Sequence, residues 1–199
     1  MTAGFFDPHN FTPLPTQPYD PVQFALEPAG TIARTLPRGV ITSAALAAFT
    51  TGGQVAVTGI ALPGGMKIST IATLTGTTAV SGQTHLWMGI LDAALNVLAV
   101  TADQAAAGLG ANALLSLALA TPIITTRNGL YYIAASSSAS TTAPTATGLV
   151  LATGVPNTIG NPVLCGTAGT QAAPPSVGAQ LASGTVTANV NAQIAYWLS

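Results

Sequence analysis

Past residue 38 the side chains that could carry acid–base, nucleophilic or metal chemistry are few: Lys67, His85, Asp92, Asp103, Arg127 and Cys165, besides Ser, Thr and Tyr hydroxyls. His85 stands two residues before Trp87, so on a strand both occupy one face and the imidazole lies beside an indole. A histidine, an aspartate and a serine could form a hydrolase triad. No G-x-S-x-G turn is present to hold the serine, so catalysis is not expected. Asp92 and Asp103 read instead as loop carboxylates that accept backbone N–H groups. Asp103 could also pair with Arg127 across one end of the domain, and an exposed pair of this kind contributes only about 0–1 kcal/mol.

Metal and cofactor chemistry fares no better. His9 and His85 are far apart, and one cysteine does not complete a zinc set. The carboxylates are too dispersed for a calcium loop. The run Pro63-Gly-Gly-Met-Lys67 lacks the glycine spacing of a phosphate-binding loop. Cys165 reads as a small hydrophobe, and an odd thiol suits a reducing compartment. No cofactor, metal or catalytic residue is expected.

Trp87, Tyr131, Tyr132, Tyr196 and Trp197 could form a sugar-stacking platform, but aromatics within strands more often serve core or interface. Charge narrows the field further. Only 9 of 199 residues are charged, the formal net charge is -1, and hydrophobic residues make up 49%. That balance offers no electrostatic basis for binding nucleic acid or an anionic membrane. A lone subunit with so little charge would be poorly soluble. Burial of its flanks against identical copies or a larger assembly resolves the difficulty.

The elements that must position these residues read as strands. Gln54 to Leu62, Lys67 to Thr75, Thr84 to Leu91, Asn96 to Thr101, Ala113 to Ala120, Gly129 to Ser136 and Thr185 to Leu198 are β-branched, apolar or alternating, with Gly, Pro or Asn between them. Asp92-Ala-Ala-Leu95 makes a short hairpin connection. Leu115, Leu117 and Leu119 should face one way, Ser116 and Ala118 the other. The helical hint is Thr101-Ala-Asp-Gln104, which fits a capping box. Residues 136–183 are rich in Ser, Thr, Ala, Gly and Pro and read as long loops with short strands. The spacing predicts an all-β fold, an antiparallel sandwich of jelly-roll type over residues 39–199.

Residues 1–38 differ. They hold 7 of the 14 prolines, 5 of the 9 charges and 4 of the 5 phenylalanines. Proline favours an extended chain. A solvated tail has no use for Phe5, Phe6, Phe11, Tyr19 and Phe24, whereas an attachment arm would dock such rings in a neighbouring surface. The proline-rich start has no apolar core, so a secretory leader is not expected. Gln104 to Thr126 lacks charge, but so does everything from Asn128 onward, and its Gly, Asn, Ser and Pro argue against a membrane span.

The runs Thr84-His-Leu-Trp87-Met-Gly-Ile-Leu-Asp92, Asn96-Val-Leu-Ala99, Thr101-Ala-Asp103-Gln104, Leu117-Ala-Leu-Ala-Thr121-Pro122 and Gly129-Leu-Tyr131-Tyr132-Ile-Ala resemble a module of virion proteins from actinobacterial tailed phages. The closing Ala195-Tyr-Trp-Leu-Ser199 is similar to that module's last strand. The resemblance covers residues 36–135 and the C-terminal strand, and departs from the pattern at Ala93-Ala94-Leu95, where a glycine is usual. It implies a non-enzymatic virion subunit, a capsid decoration or minor tail protein, assembled in the host cytoplasm. Family type and low charge together suggest a homotrimer whose partners are major capsid or tail proteins. Removal of residues 1–24 is expected to leave a folded β domain that no longer joins the particle. The alternative, a receptor- or glycan-binding tail-tip protein, would place aromatics in the 136–183 loops, and there are none.

Overall fold

A computed structural model describes residues 28–36, 41, 43–46, 49, 52–105, 110–149, 163–181, 184–188 and 193–199, with backbone alone for 43–45 and 139–140. Among these the protein is all-β, with antiparallel pairing throughout. The capping-box helix does not form in the described part of that region. Thr101 bridges to Leu119 instead, and Asp103 turns its carboxylate to the Leu86 N–H. Residues 106–109 lie outside the described residues.

Thirteen strands are described: β1 (Ala33–Arg34), β2 (Ser43–Leu46), β3 (Gly52–Leu62), β4 (Lys67–Leu74), β5 (Ser81–Asp92), β6 (Val97–Val100), β7 (Leu114–Ile124), β8 (Gly129–Thr142), β9 (Ala146–Leu149), β10 (Cys165–Thr170), β11 (Thr187–Ala188), β12 (Gln193–Ile194) and β13 (Tyr196–Leu198). They form a six-stranded sheet, β11-β10-β3-β8-β5-β6, a four-stranded sheet, β1-β13-β4-β7, and a small β12-β9-β2 sheet. The two larger sheets pack as a sandwich around one apolar layer. Ile60, Met88, Ile90, Tyr131 and Ile133 enter it from the six-stranded sheet, and Ile68, Ile71, Leu119, Tyr196 and Leu198 from the four-stranded sheet.

The six-stranded sheet is covered on both faces. Its outer face carries Val55, Val57, Trp87, Leu91, Tyr132 and Ala134, packed with Leu95, Val97, Ala168 and Leu181. That is why β3, β5 and β8 read as near-continuous apolar runs. A third cluster, Leu36, Ala72, Ala195 and Trp197, covers part of the outer face of the four-stranded sheet. Ala33 and Arg34, on the proline-rich side of the composition change, already belong to this sheet, pairing with Leu198 and Trp197.

Thr185 to Leu198 is not one strand. It contributes β11, β12 and β13 to three different sheets. Within 136–183, β8 runs on to Thr142 and two short strands, β9 and β10, follow, while residues 150–162 and 182–183 lie outside the described residues. β7 leaves β4 partway: Ile68 opposes Ile123, Thr70 opposes Ala118, and only Ser69 stands between them. There Leu119 bridges to Thr101, just past β6, while on the β13 side of β4 the Ser199 carbonyl accepts the N–H groups of Ser69 at 2.7 Å and Thr70 at 2.8 Å.

Candidate functional site

β5 and the chain after β6 position the acid–base pair of the described residues. His85 Nδ1 lies 2.6 Å from Asp103 Oδ2, and Asp103 Oδ1 accepts the Leu86 N–H at 3.1 Å. The side chains are 37% and 29% exposed. Gln104 N donates to Leu86 O at 2.9 Å, so the segment after Thr101 continues along β5 and carries Asp103 to the imidazole. Asp103 therefore pairs with His85, not with Arg127.

A base held by a carboxylate is half of a hydrolytic constellation. The other half would be a hydroxyl within hydrogen-bond reach. Ser138 is the Cα partner of His85 across β8, but its Oγ lies 2.8 Å from Thr84 Oγ1. No hydrogen bond joins a serine hydroxyl to His85 among the described residues. The pair ties the 102–104 segment to β5, a structural task that uses both carboxylate oxygens.

Asp92 organises the β5–β6 hairpin. Its Oδ1 accepts the N–H groups of Ala94 and Asn96, each at 2.9 Å, and its Oδ2 accepts Asn96 Nδ2–H at 2.8 Å. Burial works against the charged form, but the Asn96 and Ala94 hydrogen bonds, with the positive charge of Arg127, hold this carboxyl below the usual range. Here lies the answer to the missing glycine. Leu95 itself takes the left-handed conformation, at φ 64°, and its side chain is buried in the outer cluster. The conformation costs about 1–2 kcal/mol, and burying a leucine returns about 1.5–3 kcal/mol.

A cavity of about 270 Å³ opens beside this hairpin, lined by Ala93, Leu95, Tyr132, Val163, Thr185 and Val186. It falls just below the roughly 300–1,000 Å³ of small-molecule sites. Tyr132 is the one titratable group among its described lining residues, and the phenol is spent on Val163 O at 2.6 Å. Burial raises the Tyr132 pKa, so it stays a neutral donor. Cys165 is buried and its thiol is pushed up to about 11, which leaves little thiolate at neutral pH. No group of three His, Cys, Asp or Glu side chains gathers as a metal site among the described residues. No helix among them is long and apolar enough to cross a membrane.

Trp87, Tyr131, Tyr132, Tyr196 and Trp197 are all buried. Trp87 Nε1 donates to Gln171 O at 3.1 Å and Ala172 O at 3.0 Å, pinning the 171–172 crossing over the sheet. Gly53 allows that crossing: at φ 76° it lies so close that a Cβ would stand 2.8 Å from Ala172 Cα. These two roles were not legible in the sequence, since neither partner is near in the chain. Phe5, Phe6, Phe11, Tyr19 and Phe24 lie outside the described residues. Comparison with known protein families, curated proteins and solved structures finds no match to this chain.

Proposed function

We propose that this chain is a non-enzymatic structural subunit of a tailed-phage virion: a β-sandwich of jelly-roll type that assembles with copies of itself and is fastened to the capsid or tail by its N-terminal arm. The observation that carries the reading is how the described aspartates, histidine and cysteine are used. Asp92 and Asp103 are engaged with backbone N–H groups, His85 is held by Asp103, and Cys165 is buried. What remains to face solvent is largely Thr, Ser, Ala, Gly and Gln, a surface suited to packing among subunits. The burial of all five strand aromatics leaves no stacking platform for sugars on the described surface, which favours the architectural role over the glycan-binding one.

In this reading Phe5, Phe6, Phe11 and Tyr19, with Phe24, anchor the arm in a partner surface. Each well-buried ring is worth about 1.5–3 kcal/mol, so several together make attachment effectively permanent. The test is direct imaging of the intact particle with this chain located in it. Many copies over the shell mean decoration and a few at one vertex mean a tail component. Absence of the chain from purified particles refutes the proposal. Full-length chain with alanine at Phe5, Phe6 and Phe11 is expected to fold normally and fail to join the particle.

A further inference from the structure

We infer that two copies of this chain join by the outer edges of β7, antiparallel across a two-fold axis at Ser116, so that their four-stranded sheets run on as one. This edge would serve the self-association of the proposed function, on which the assignment rests.

β7 is outermost in the four-stranded sheet and pairs with β4 through residues 114–118. Which of its backbone groups that pairing uses follows from the neighbouring hydrogen bonds. Thr70 N donates to Ser199 O at 2.8 Å and Ser199 N to Thr70 O at 3.1 Å, so from Thr70 onward the even-numbered residues of β4 face β13. Thr75 N donates to Ala113 O at 2.9 Å, so the odd-numbered ones face β7. Thr73 opposes Leu115 and Ile71 opposes Leu117. The N–H and C=O groups of Leu115 and Leu117 are therefore used within the subunit, and those of Leu114 and Ser116 point away from β4. No described strand pairs with β7 on that side before Leu119 bridges to Thr101.

The side chains of this edge also call for a cover. Leu115 and Leu117 point toward the main apolar layer but are only partly buried, and Leu114, on the outer face, is 52% exposed. Edges that stay single are guarded by charge or proline. No charge occurs between Asp103 and Arg127, and the one proline of β7, Pro122, lies past Ala118.

The occupant is a second β7 because no other described edge matches it. β1, β11 and β12 span two residues each, and β2 four. β6 is met at Val97 by Gly178 and Ala179, and just past its end by the Thr101–Leu119 bridge. β7, in contrast, fits its own copy. With Ser116 opposite the partner's Ser116, Leu114 stands opposite the partner's Ala118, and the outward N–H and C=O groups of Leu114 and Ser116 meet one another's kind across the axis. Leu115 then stands opposite the partner's Leu117, which closes the half-covered leucines over the apolar layer. A two-fold sets like beside like, which charge would forbid and this uncharged stretch allows. Such a contact is isologous and gives an even number of copies, where family type suggests three.

Sedimentation and native mass spectrometry of the full-length protein test this, with an even-numbered oligomer expected. Ser116→Pro removes an N–H that β4 does not use, so it spares the subunit's own ladder, and it is expected to weaken association at least about tenfold. Ser116→Lys sets two charges side by side at the axis, is expected to do the same, and covers failure of the proline variant to fold. Hydrogen exchange at β3 and β8 should stay unchanged in both. Ser116→Cys, treated with diamide, is expected to yield a covalent dimer, since facing residues of this kind lie about 5.5 Å apart between Cα atoms, within disulfide reach. Cys165 is buried and does not compete. An oligomer that survives Ser116→Lys, or a Ser116→Cys protein that forms no covalent dimer, overturns the β7 contact and leaves self-association standing through another surface. A three-copy parent overturns it likewise, and a monomeric parent overturns the contact and the self-association together.

Discussion

Three buried tyrosines show how single hydroxyls are handled. Tyr131 OH donates to Arg127 O at 3.0 Å and Tyr132 OH to Val163 O at 2.6 Å, whereas the buried Tyr196 OH has no partner among the described residues. An unsatisfied buried hydroxyl costs about 1–3 kcal/mol, so Tyr196→Phe should raise the denaturant midpoint by an equivalent amount. A loss of stability would mean that the hydroxyl is bonded. Asp92 makes a second prediction. Its folded pKa lies below its unfolded value, so its stabilisation is complete above that unfolded value, near 3.8, and drains away as pH falls through the lower folded one. Asp92→Asn should be less stable than the parent at pH 6, by at most about 1 kcal/mol because solvent screens the site. The difference should shrink as pH falls below the usual carboxylate range, as urea titrations at several pH values would show.

Among the elements, the outer cover of the six-stranded sheet is tied at its far end by backbone bonds of residues 178–181 to Leu95 and Val97, and at its near end by Gln171 N–H to Gly53 O and by the two bonds that Trp87 supplies. Trp87→Phe keeps most of the apolar area but strands the carbonyls of Gln171 and Ala172. Limited proteolysis should then open residues 171–181 first, while β3, β5 and β8 stay protected. Simultaneous loss of all regions would contradict this. The long strands were legible in the sequence because each carries its own period: β3, β4, β5, β6, β7 and β8 overlap the predicted runs. Leu115, Leu117 and Leu119 face inward as the alternation requires. The tail end was not legible. Thr185 to Leu198 alternates locally, but period two does not say which sheet a residue will join, and three sheets divide this run. Of the candidate site, the loop roles of Asp92 and Asp103 could be read from residue type. The partner of Asp103 could not, because His85 reaches it only through the β5 and β6 pairing.

At the scale of the whole molecule, charge is sparse, 9 of 199 residues. Among the described residues His85 and Asp103 form a close polar pair that is partly open to solvent. Raising monovalent salt from 0.05 to 1 M should therefore change unfolding free energy by less than about 1 kcal/mol, measured by urea denaturation. A large salt response would reveal electrostatic contacts beyond these. Sedimentation at micromolar concentration is expected to show an oligomer, and a soluble monomer would count against subunit burial as the reason for so bare a surface.

The two tryptophans occupy different apolar clusters, Trp87 above the six-stranded sheet and Trp197 above the four-stranded one. Nature has thus installed one optical reporter on each side of the sandwich. Replacing either in turn would let ordinary fluorescence follow each skin of the molecule alone. Coincident melting curves would mark a single cooperative body, and a gap between them would time the peeling of one layer from the other.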